Sequence, residues 1–140
     1  MRIINLTQHA ATAEQLAAGV IDLPAEQQEL LKKLMTFVEP PTEEYIVNIA
    51  YEIEELAHKL RESLDPDQIE RFGAMLGGAL WLMGPLTWLL QYAGFECMYA
   101  FSMRVSTEII QPDGSVTKAS SFKHIGFAPA MVAVPHRHER

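Results

Sequence analysis

Cysteine is nearly absent from this 140-residue chain, which contains Cys97 alone. A single cysteine excludes a disulfide framework within the chain, and no cysteine–histidine spacing typical of a zinc site is present. Cys97 lies in an apolar segment, which favours a buried, small hydrophobic side chain over a reactive thiol. The scarcity of cysteine predicts a protein of the reducing cytoplasm.

The sequence also lacks a hydrophobic run long enough to cross a membrane. Its longest apolar stretch, residues 79–90, has about 12 residues, whereas a spanning helix needs about 20. The residues after Arg2 do not form the apolar core of a signal peptide. We therefore expect no membrane partner.

Positive charge is the third deficit, since 11 lysine and arginine residues stand against 18 aspartate and glutamate residues, giving a net charge of −7. An acidic chain is poorly suited to duplex nucleic acid, where neutralised phosphates supply most of the affinity. It can still hold one small anion locally. A hydrophobic content of 49% indicates a folded domain, which we expect at residues 1–127, with a tail at 128–140.

What the chain does contain is a succession of short apolar runs separated by helical patterns, which is typical of parallel strands joined by crossover helices. Two alternating runs near the C-terminus flank Pro112-Asp113-Gly114, a strong turn signal. The predicted fold is α/β: a small Rossmann-like parallel sheet of about four strands flanked by helices, with a C-terminal β-hairpin. The parallel strands are expected at residues 2–6, 20–23, 71–76 and 95–101, and the hairpin at 105–111 and 115–122.

Capping residues mark where the helices begin. Thr12 and Gln15 have the spacing of a capping box, and Thr42 precedes a long amphipathic segment. The apolar helix after the third strand contains Pro85, which should kink or restart it near Gly84.

Right-handed crossovers bring the carboxyl ends of the first, third and fourth strands to one edge of the sheet. Ligands of open parallel sheets bind at that edge. The sequence therefore predicts a site where three groups of polar or glycine residues meet. These are Thr7, Gln8 and His9, then Gly77 and Gly78, then Ser102 and Arg104.

Each group has two interpretations. The two glycines suit a phosphate, because missing Cβ atoms expose the amides at the start of a helix, but they also permit a simple tight turn. His9 could orient or protonate a leaving oxygen, or only cap a helix or meet water. Arg104 could bind phosphate or pair with Glu108. Thr7 and Gln8 could hydrogen-bond a nucleotide or their own loop.

The hairpin and the tail add further polar residues. Lys118 and His124 occupy alternating positions and share one face if the strand is regular. That face could cover the site, lie at a subunit contact or be ordinary surface. His136 and His138 supply too few ligands for a metal ion, and we expect no metal site.

Several segments together form a recognisable pattern. An N-terminal strand leads into NLTQHAATAEQL, a later strand and glycine pair precede an apolar helix, and YAFSMR, EIIQPDGSVTK and SFKH follow. The pattern resembles small CRISPR-associated ring nucleases of the Rossmann-like type. The resemblance is closest over residues 71–127, weaker over 1–24, and absent over 25–65 beyond helical character.

The resemblance implies a homodimer that binds a cyclic oligoadenylate, above all cyclic tetra-adenylate, across a two-fold axis and cleaves it without a metal or other cofactor. The 2′-OH attacks the adjacent phosphorus in line, which gives linear products and ends type III CRISPR signalling. A two-fold symmetric ligand matches an isologous dimer. The implied catalytic residues are His9, Arg104 and Lys118, and the implied ligand-binding residues are Thr7, Gln8, Gly77, Gly78 and Ser102.

Two other functions remain open from the residues themselves. A non-catalytic sensor would bind a cyclic nucleotide with the same glycines and Arg104. A phage or mobile-element accessory protein would instead use the apolar segment from Trp81 to Trp88 to bind another protein.

Overall fold

The computed structural model of the protein describes residues 1–137. The fold is α/β, with one five-stranded sheet in the order β2-β1-β3-β4-β5. The first four strands in that order are parallel to their neighbours, and β5 is antiparallel to β4. The elements are β1 (Arg2–Leu6), α1 (Ala13–Ala17), β2 (Val20–Ile21), α2 (Ala25–Leu34), α3 (Glu43–Leu64), β3 (Phe72–Leu76), α4 (Leu80–Tyr92), β4 (Glu96–Ile110) and β5 (Val116–Pro129).

The two faces of the sheet are covered unequally. One face carries the main hydrophobic core, in which Ile4, Leu6 and Ala74 pack with buried residues of α2, α3 and α4. The opposite face, which we call the second face, carries a small cluster of Ile3, Val20, Met75 and Met98. Neighbouring residues such as Ile3 and Ile4 fall in different clusters because successive side chains of a strand point to opposite faces.

The predicted helix starts are confirmed. The Thr12 hydroxyl accepts a hydrogen bond from the Gln15 backbone N–H at 3.1 Å, and the Gln15 side chain accepts one from the Thr12 N–H at 3.0 Å. The Thr42 hydroxyl accepts from the Tyr45 N–H at 3.1 Å. In both places the side chain satisfies backbone donors that a helix leaves free at its start.

The prediction of a fourth strand followed by a separate hairpin is wrong in part. Strand β4 runs without interruption from Glu96 to Ile110, so the expected fourth strand and the first hairpin strand are one element. Its pairing with β3 ends at Tyr99, and from there only β5 lies beside it in the sheet. The composition changes near Ser102 because the strand leaves the buried sheet and enters solvent, not because it ends.

Strand β5 extends further than the sequence suggests. It pairs with β4 as far as Pro129, beyond the boundary expected at residue 127, and the buried Ala130 donates a backbone hydrogen bond to Cys97 at 3.0 Å. Residues 128–130 therefore belong to the sheet and its core.

The helix does not restart at Pro85, since α4 is one continuous helix with Pro85 inside it. Proline disfavours a helical residue before it mainly through clashes with that residue's Cβ and N–H. The preceding residue is Gly84, which has no Cβ, so the helix passes through this position. Among the described residues, no helix is long and apolar enough to cross a membrane.

The buried thiol of Cys97 makes the free energy of unfolding depend on pH in the alkaline range. Cys97 is 4% exposed, and its burial raises the pKa of the thiol from 9.0 to about 11. Between these values the unfolded chain releases a proton that the folded protein retains, so the free energy of unfolding falls as pH rises, by at most about 1.4 kcal/mol per pH unit. Urea unfolding across this range should show a steeper loss for the wild type than for Cys97→Ala. Parallel losses would contradict the prediction.

Candidate functional site

A cleft of ≈ 550 Å³ opens at the carboxyl ends of the parallel strands β1 and β3. Its volume lies in the range of about 300–1,000 Å³ that is usual for ligand sites. It combines the loop after β1, the glycine pair before α4 and the middle of β4. The lining residues are Thr7, Gln8, His9, Ala10, Thr12, Gln15, Met75, Leu76, Gly77, Gly78, Tyr99 and Ala100.

The loop after β1 is held by the side chain of Asn5, which is 3% exposed. Its carbonyl oxygen accepts the Thr7 N–H at 2.9 Å, and its amide nitrogen donates to the His9 carbonyl at 2.8 Å. The same nitrogen donates to the Asp22 carboxylate at 2.8 Å, and that carboxylate also accepts the Ala11 N–H at 3.0 Å. Asn5 and Asp22 therefore set the shape of one wall of the cleft.

The Thr7 hydroxyl and the amide nitrogen of Gln8 are occupied by hydrogen bonds within the chain. The Thr7 hydroxyl lies 2.7 Å from the Asn5 carbonyl oxygen and 3.1 Å from the His9 carbonyl. The Gln8 amide donates to the Met35 carbonyl at 3.2 Å, which ties the loop to the end of α2. Of the two interpretations of these residues, the hydrogen bonds to the protein itself are the ones observed.

His9 differs from its neighbours because its ring is unoccupied. Its backbone is held by Asn5 and Thr7, but within residues 1–137 its imidazole makes no hydrogen bond or ion pair. The residue is exposed and lines the cleft. An imidazole on a fixed backbone at the mouth of a cleft can donate or accept a proton from a bound molecule.

The glycine pair has a structural reason and still leaves amides accessible. Gly78 has φ +149°, and a Cβ there would lie 2.5 Å from the Met35 methyl carbon, so a larger residue is disfavoured. The N-cap of α4, Ala79, provides no side-chain acceptor for the first N–H groups of the helix. These groups and the helix dipole favour an anion at this end of α4.

Ser102 and Arg104 do not line the cleft, although they lie on the same side of the sheet. Along β4, Met98 belongs to the second face, and Ala100, two residues later on the same face, lines the cleft. Alternation places Ser102 and Arg104 on the second face too. Arg104 lies about 13 Å beyond Ala100 along the strand. Its guanidinium lies 5.5 Å from the centre of the Phe122 ring, and it forms no ion pair with Glu108 among the described residues.

Lys118 lies still further from the cleft. It is opposite Glu108 in the antiparallel ladder, about 27 Å beyond Ala100 along the strand. The expectation that Lys118 and His124 share a hairpin face is confirmed by the uninterrupted register from Val116 to His124. Lys118 cannot reach the cleft of its own chain.

No group of three or more histidine, cysteine, aspartate or glutamate side chains within residues 1–137 could hold a metal ion. His138, which with His136 was expected to supply too few ligands for a metal ion, lies outside the described residues.

Sequence reasoning missed three residues that shape this region. Asn5 falls within the first predicted strand, at residues 2–6, and received no role there. A polar side chain in an otherwise apolar run is a signal of a buried hydrogen-bonding role. Asp22 follows β2 and meets Asn5 only through the pairing of β1 with β2. Phe122 is 72% exposed, and only the register between β4 and β5 shows that it lies opposite Arg104.

The fold and the cleft define an α/β protein with a ligand-sized site at the carboxyl edge of its parallel strands. Residues 1–128 match the model of the Uncharacterized protein MJ1673 family, and the chain belongs to that family. The match covers the whole cleft and nearly all of the β4–β5 hairpin. No curated protein and no solved structure matched the chain.

The Asn5 network should contribute measurably to stability. Asn5→Ala leaves the Thr7 N–H without its acceptor and removes the Asn5 hydrogen bonds to the His9 carbonyl and to Asp22, and we expect the free energy of unfolding to fall by about 1–3 kcal/mol. Urea unfolding measures this loss. Asn48→Ala, the same substitution at an exposed position of α3, should change stability little. Equal effects of both substitutions would refute the anchoring role of Asn5.

Proposed function

We propose that this protein is a Rossmann-like, homodimeric ring nuclease of the cytoplasm, which binds a cyclic oligoadenylate in the cleft and cleaves it without a metal. The observation that carries the proposal is that one side of the sheet carries three features suited to a phosphodiester, the first in the cleft, the second next to its glycine pair and the third further along the hairpin. These are an unoccupied imidazole, the open start of α4 and, on the same side of the sheet, an exposed arginine beside an aromatic ring.

The electrostatics of the cleft favour a ligand that extends beyond it. Within residues 1–137 no lysine or arginine lines the cleft, so a bound phosphate there would rely on backbone amides and on His9. Arg104 supplies a fixed positive charge further along the same face. A ligand with several phosphates, such as a cyclic oligonucleotide, could use both, whereas a single nucleotide would reach only the first.

Phe122 provides a second reason to expect a nucleotide. Its ring is exposed and carries the Arg104 guanidinium at 5.5 Å. Bases stack on exposed aromatic rings and on arginine planes with little regard to sequence. An adenine beside Phe122 would bring its neighbouring phosphate close to the guanidinium.

The proposed reaction needs no group that the chain lacks. The 2′-oxygen forms a bond to phosphorus, the bond from phosphorus to the 5′-oxygen breaks, and the product carries a 2′,3′-cyclic phosphate. The 2′-OH proton passes to solvent, and the leaving 5′-oxygen takes a proton from His9. Positioning and stabilisation of the developing negative charge then supply most of the rate.

The decisive assay incubates the purified protein with radiolabelled cyclic oligoadenylates of several ring sizes in the presence of EDTA. Cleavage to linear products supports the proposal, and undiminished activity in EDTA supports a metal-free reaction. Retention of intact ligand on the protein would instead indicate a sensor. Neither binding nor cleavage would refute the proposal and favour a protein-binding role.

Arg104→Ala should lower turnover by about 100-fold if its charge stabilises the transition state. Lys33→Ala is the matched control, because Lys33 is exposed on α2 and belongs neither to the cleft lining nor to the hairpin. It also removes one positive charge, but it should leave turnover nearly unchanged. Equal losses in both variants would point to a general charge effect and remove Arg104 from the site.

His9→Asn tests the proton donor. Loss of a general acid typically costs about 10²–10⁴-fold in rate, and ligand affinity should change far less because the backbone of the loop is held by Asn5. Single-turnover cleavage and equilibrium binding should be measured on the same samples. His58→Asn, on α3 and away from the cleft lining, is the control. Full activity of His9→Asn would exclude His9 as the acid.

A further inference from the structure

Helix α4 is apolar on nearly all sides, with Gln91 its one exposed polar side chain, although one side faces solvent. The segment Leu80–Tyr92 contains no charged residue, and its inner side packs in the main core. Its outer side is a stripe at helical spacing, and we call it the α4 stripe. The stripe consists of Trp81, Gly84, Pro85, Trp88 and Tyr92. A helix that is hydrophobic all round is normally buried.

The α4 stripe continues onto α3. Val47 and Tyr51 of α3 line a narrow groove with Pro85 and Trp88. The Trp88 and Tyr92 rings stack at 5.6 Å, and the Trp81 ring meets the edge of Phe37 at 5.3 Å. Trp81 and Trp88 are nevertheless 48% and 55% exposed, so a broad aromatic surface has no cover within the described chain.

The hairpin presents a second uncovered apolar surface. Residues that are directly opposite in an antiparallel ladder share a face. On the face away from Arg104, Met103, Val105 and Ile109 are all exposed, opposite Lys123, Ser121 and Thr117. We call this the apolar arm face. Alternation from Cys97, which lies in the main core, places it on the same side of the sheet as α4.

We propose that these two surfaces cover each other between two copies of this chain, the apolar arm face of each protomer packing on the α4 stripe and the α3–α4 groove of its partner. The inference names the interface of the dimer in the proposed function. It rests on that function only for the existence of a dimer, because the surfaces involved do not include the cleft.

A second copy fits these surfaces better than a transient partner. Beyond Tyr99 the hairpin is a free two-stranded ribbon, and such a ribbon is at best marginally stable in water. It therefore needs cover whenever the protein is folded, and only another copy of the chain is always present in equal amount. The protein has a net charge of −7, but the α4 stripe bears no charge and Lys123 is the one charged residue at the ladder positions of the apolar arm face, so two acidic copies can meet there without repulsion.

The size of the contact suits a stable dimer. The free ribbon is about 37 Å long and about 10 Å wide, which gives about 350 Å² on its apolar face. Two arms and the two surfaces that receive them would bury about 1,400 Å², within the range of about 1,200–2,000 Å² for specific interfaces. The polar face with Arg104 stays free in this arrangement.

The chain carries its own reporter of the contact, because its two tryptophans, Trp81 and Trp88, both lie on the α4 stripe. We would measure the dimer dissociation constant by sedimentation and tryptophan exposure by acrylamide quenching, with no ligand present. Val105→Glu places a carboxylate on the apolar arm face. Ser106→Glu places the same charge one residue away on the opposite face and is the matched control.

The expected result is a dimer in which acrylamide quenches the tryptophan fluorescence less than it does in the monomer. Quenching should rise as dilution dissociates the dimer. Val105→Glu should weaken dimerisation by about 100-fold, because a buried unpaired carboxylate is strongly unfavourable, and should restore quenching. Ser106→Glu should change neither quantity. Circular dichroism establishes that the variants are folded. If Val105→Glu does not fold, Trp88→Glu tests the same contact from its other side.

Other outcomes overturn the inference in distinguishable ways. A wild-type monomer at every concentration would refute both this interface and a ligand shared across a two-fold axis. A dimer whose tryptophans stay equally exposed, or that responds alike to Val105→Glu and Ser106→Glu, would refute this interface and leave the ring nuclease proposal standing. Absence of cleavage in the nuclease assay would refute the activity without affecting the interface.

Discussion

The cleft depends on the hydrogen bonds of one buried side chain, the amide of Asn5. An uncompensated amide in an apolar sheet costs several kcal/mol, so its four bonding positions require partners nearby. The loop after β1 and the Asp22 carboxylate supply them. The loop is consequently held in one shape, and His9 stands at the mouth of the cleft on a backbone that cannot drift. A chemical role for His9 rests on that support.

The second constraint is the continuation of β4 beyond the sheet. Inside the sheet Cys97 and Met98 of β4 are buried on opposite faces. Beyond Tyr99 the same strand becomes amphipathic, and among the described residues β5 is its only neighbouring strand. The ribbon then has two distinct faces. Its polar face extends the side of the sheet on which the cleft opens, and its apolar face extends the side on which α4 lies. One strand therefore connects the proposed ligand site to the proposed dimer contact without either using the other's residues.

Much of the fold follows from local chemistry. Thr12 and Thr42 begin helices because their hydroxyls accept backbone N–H groups a few residues away, which the order of residues alone dictates. The sequence analysis predicts a kink or restart at Pro85, whereas α4 continues through this residue. Gly84 has no Cβ, which removes one clash between proline and the residue before it. Arg104 was placed too close to the cleft for a different reason. The sequence predicts that the fourth strand ends at residue 101, which would put Arg104 in a loop at the edge of the sheet. The strand instead continues to Ile110 and carries Arg104 away from the cleft.

The amino-acid sequence by itself determined the succession of strands and helices along the chain and the caps at Thr12 and Thr42, because periodicity and caps are local properties. The general handedness of crossovers then predicted that Thr7 and Gly77 lie at one edge. Tertiary structure decided which polar groups are already used. Asn5 and Asp22, 17 residues apart, become partners only when β1 and β2 pair. Phe122 meets Arg104 only through the register of a long hairpin. Such contacts depend on distances between segments far apart in the chain, which no local pattern encodes.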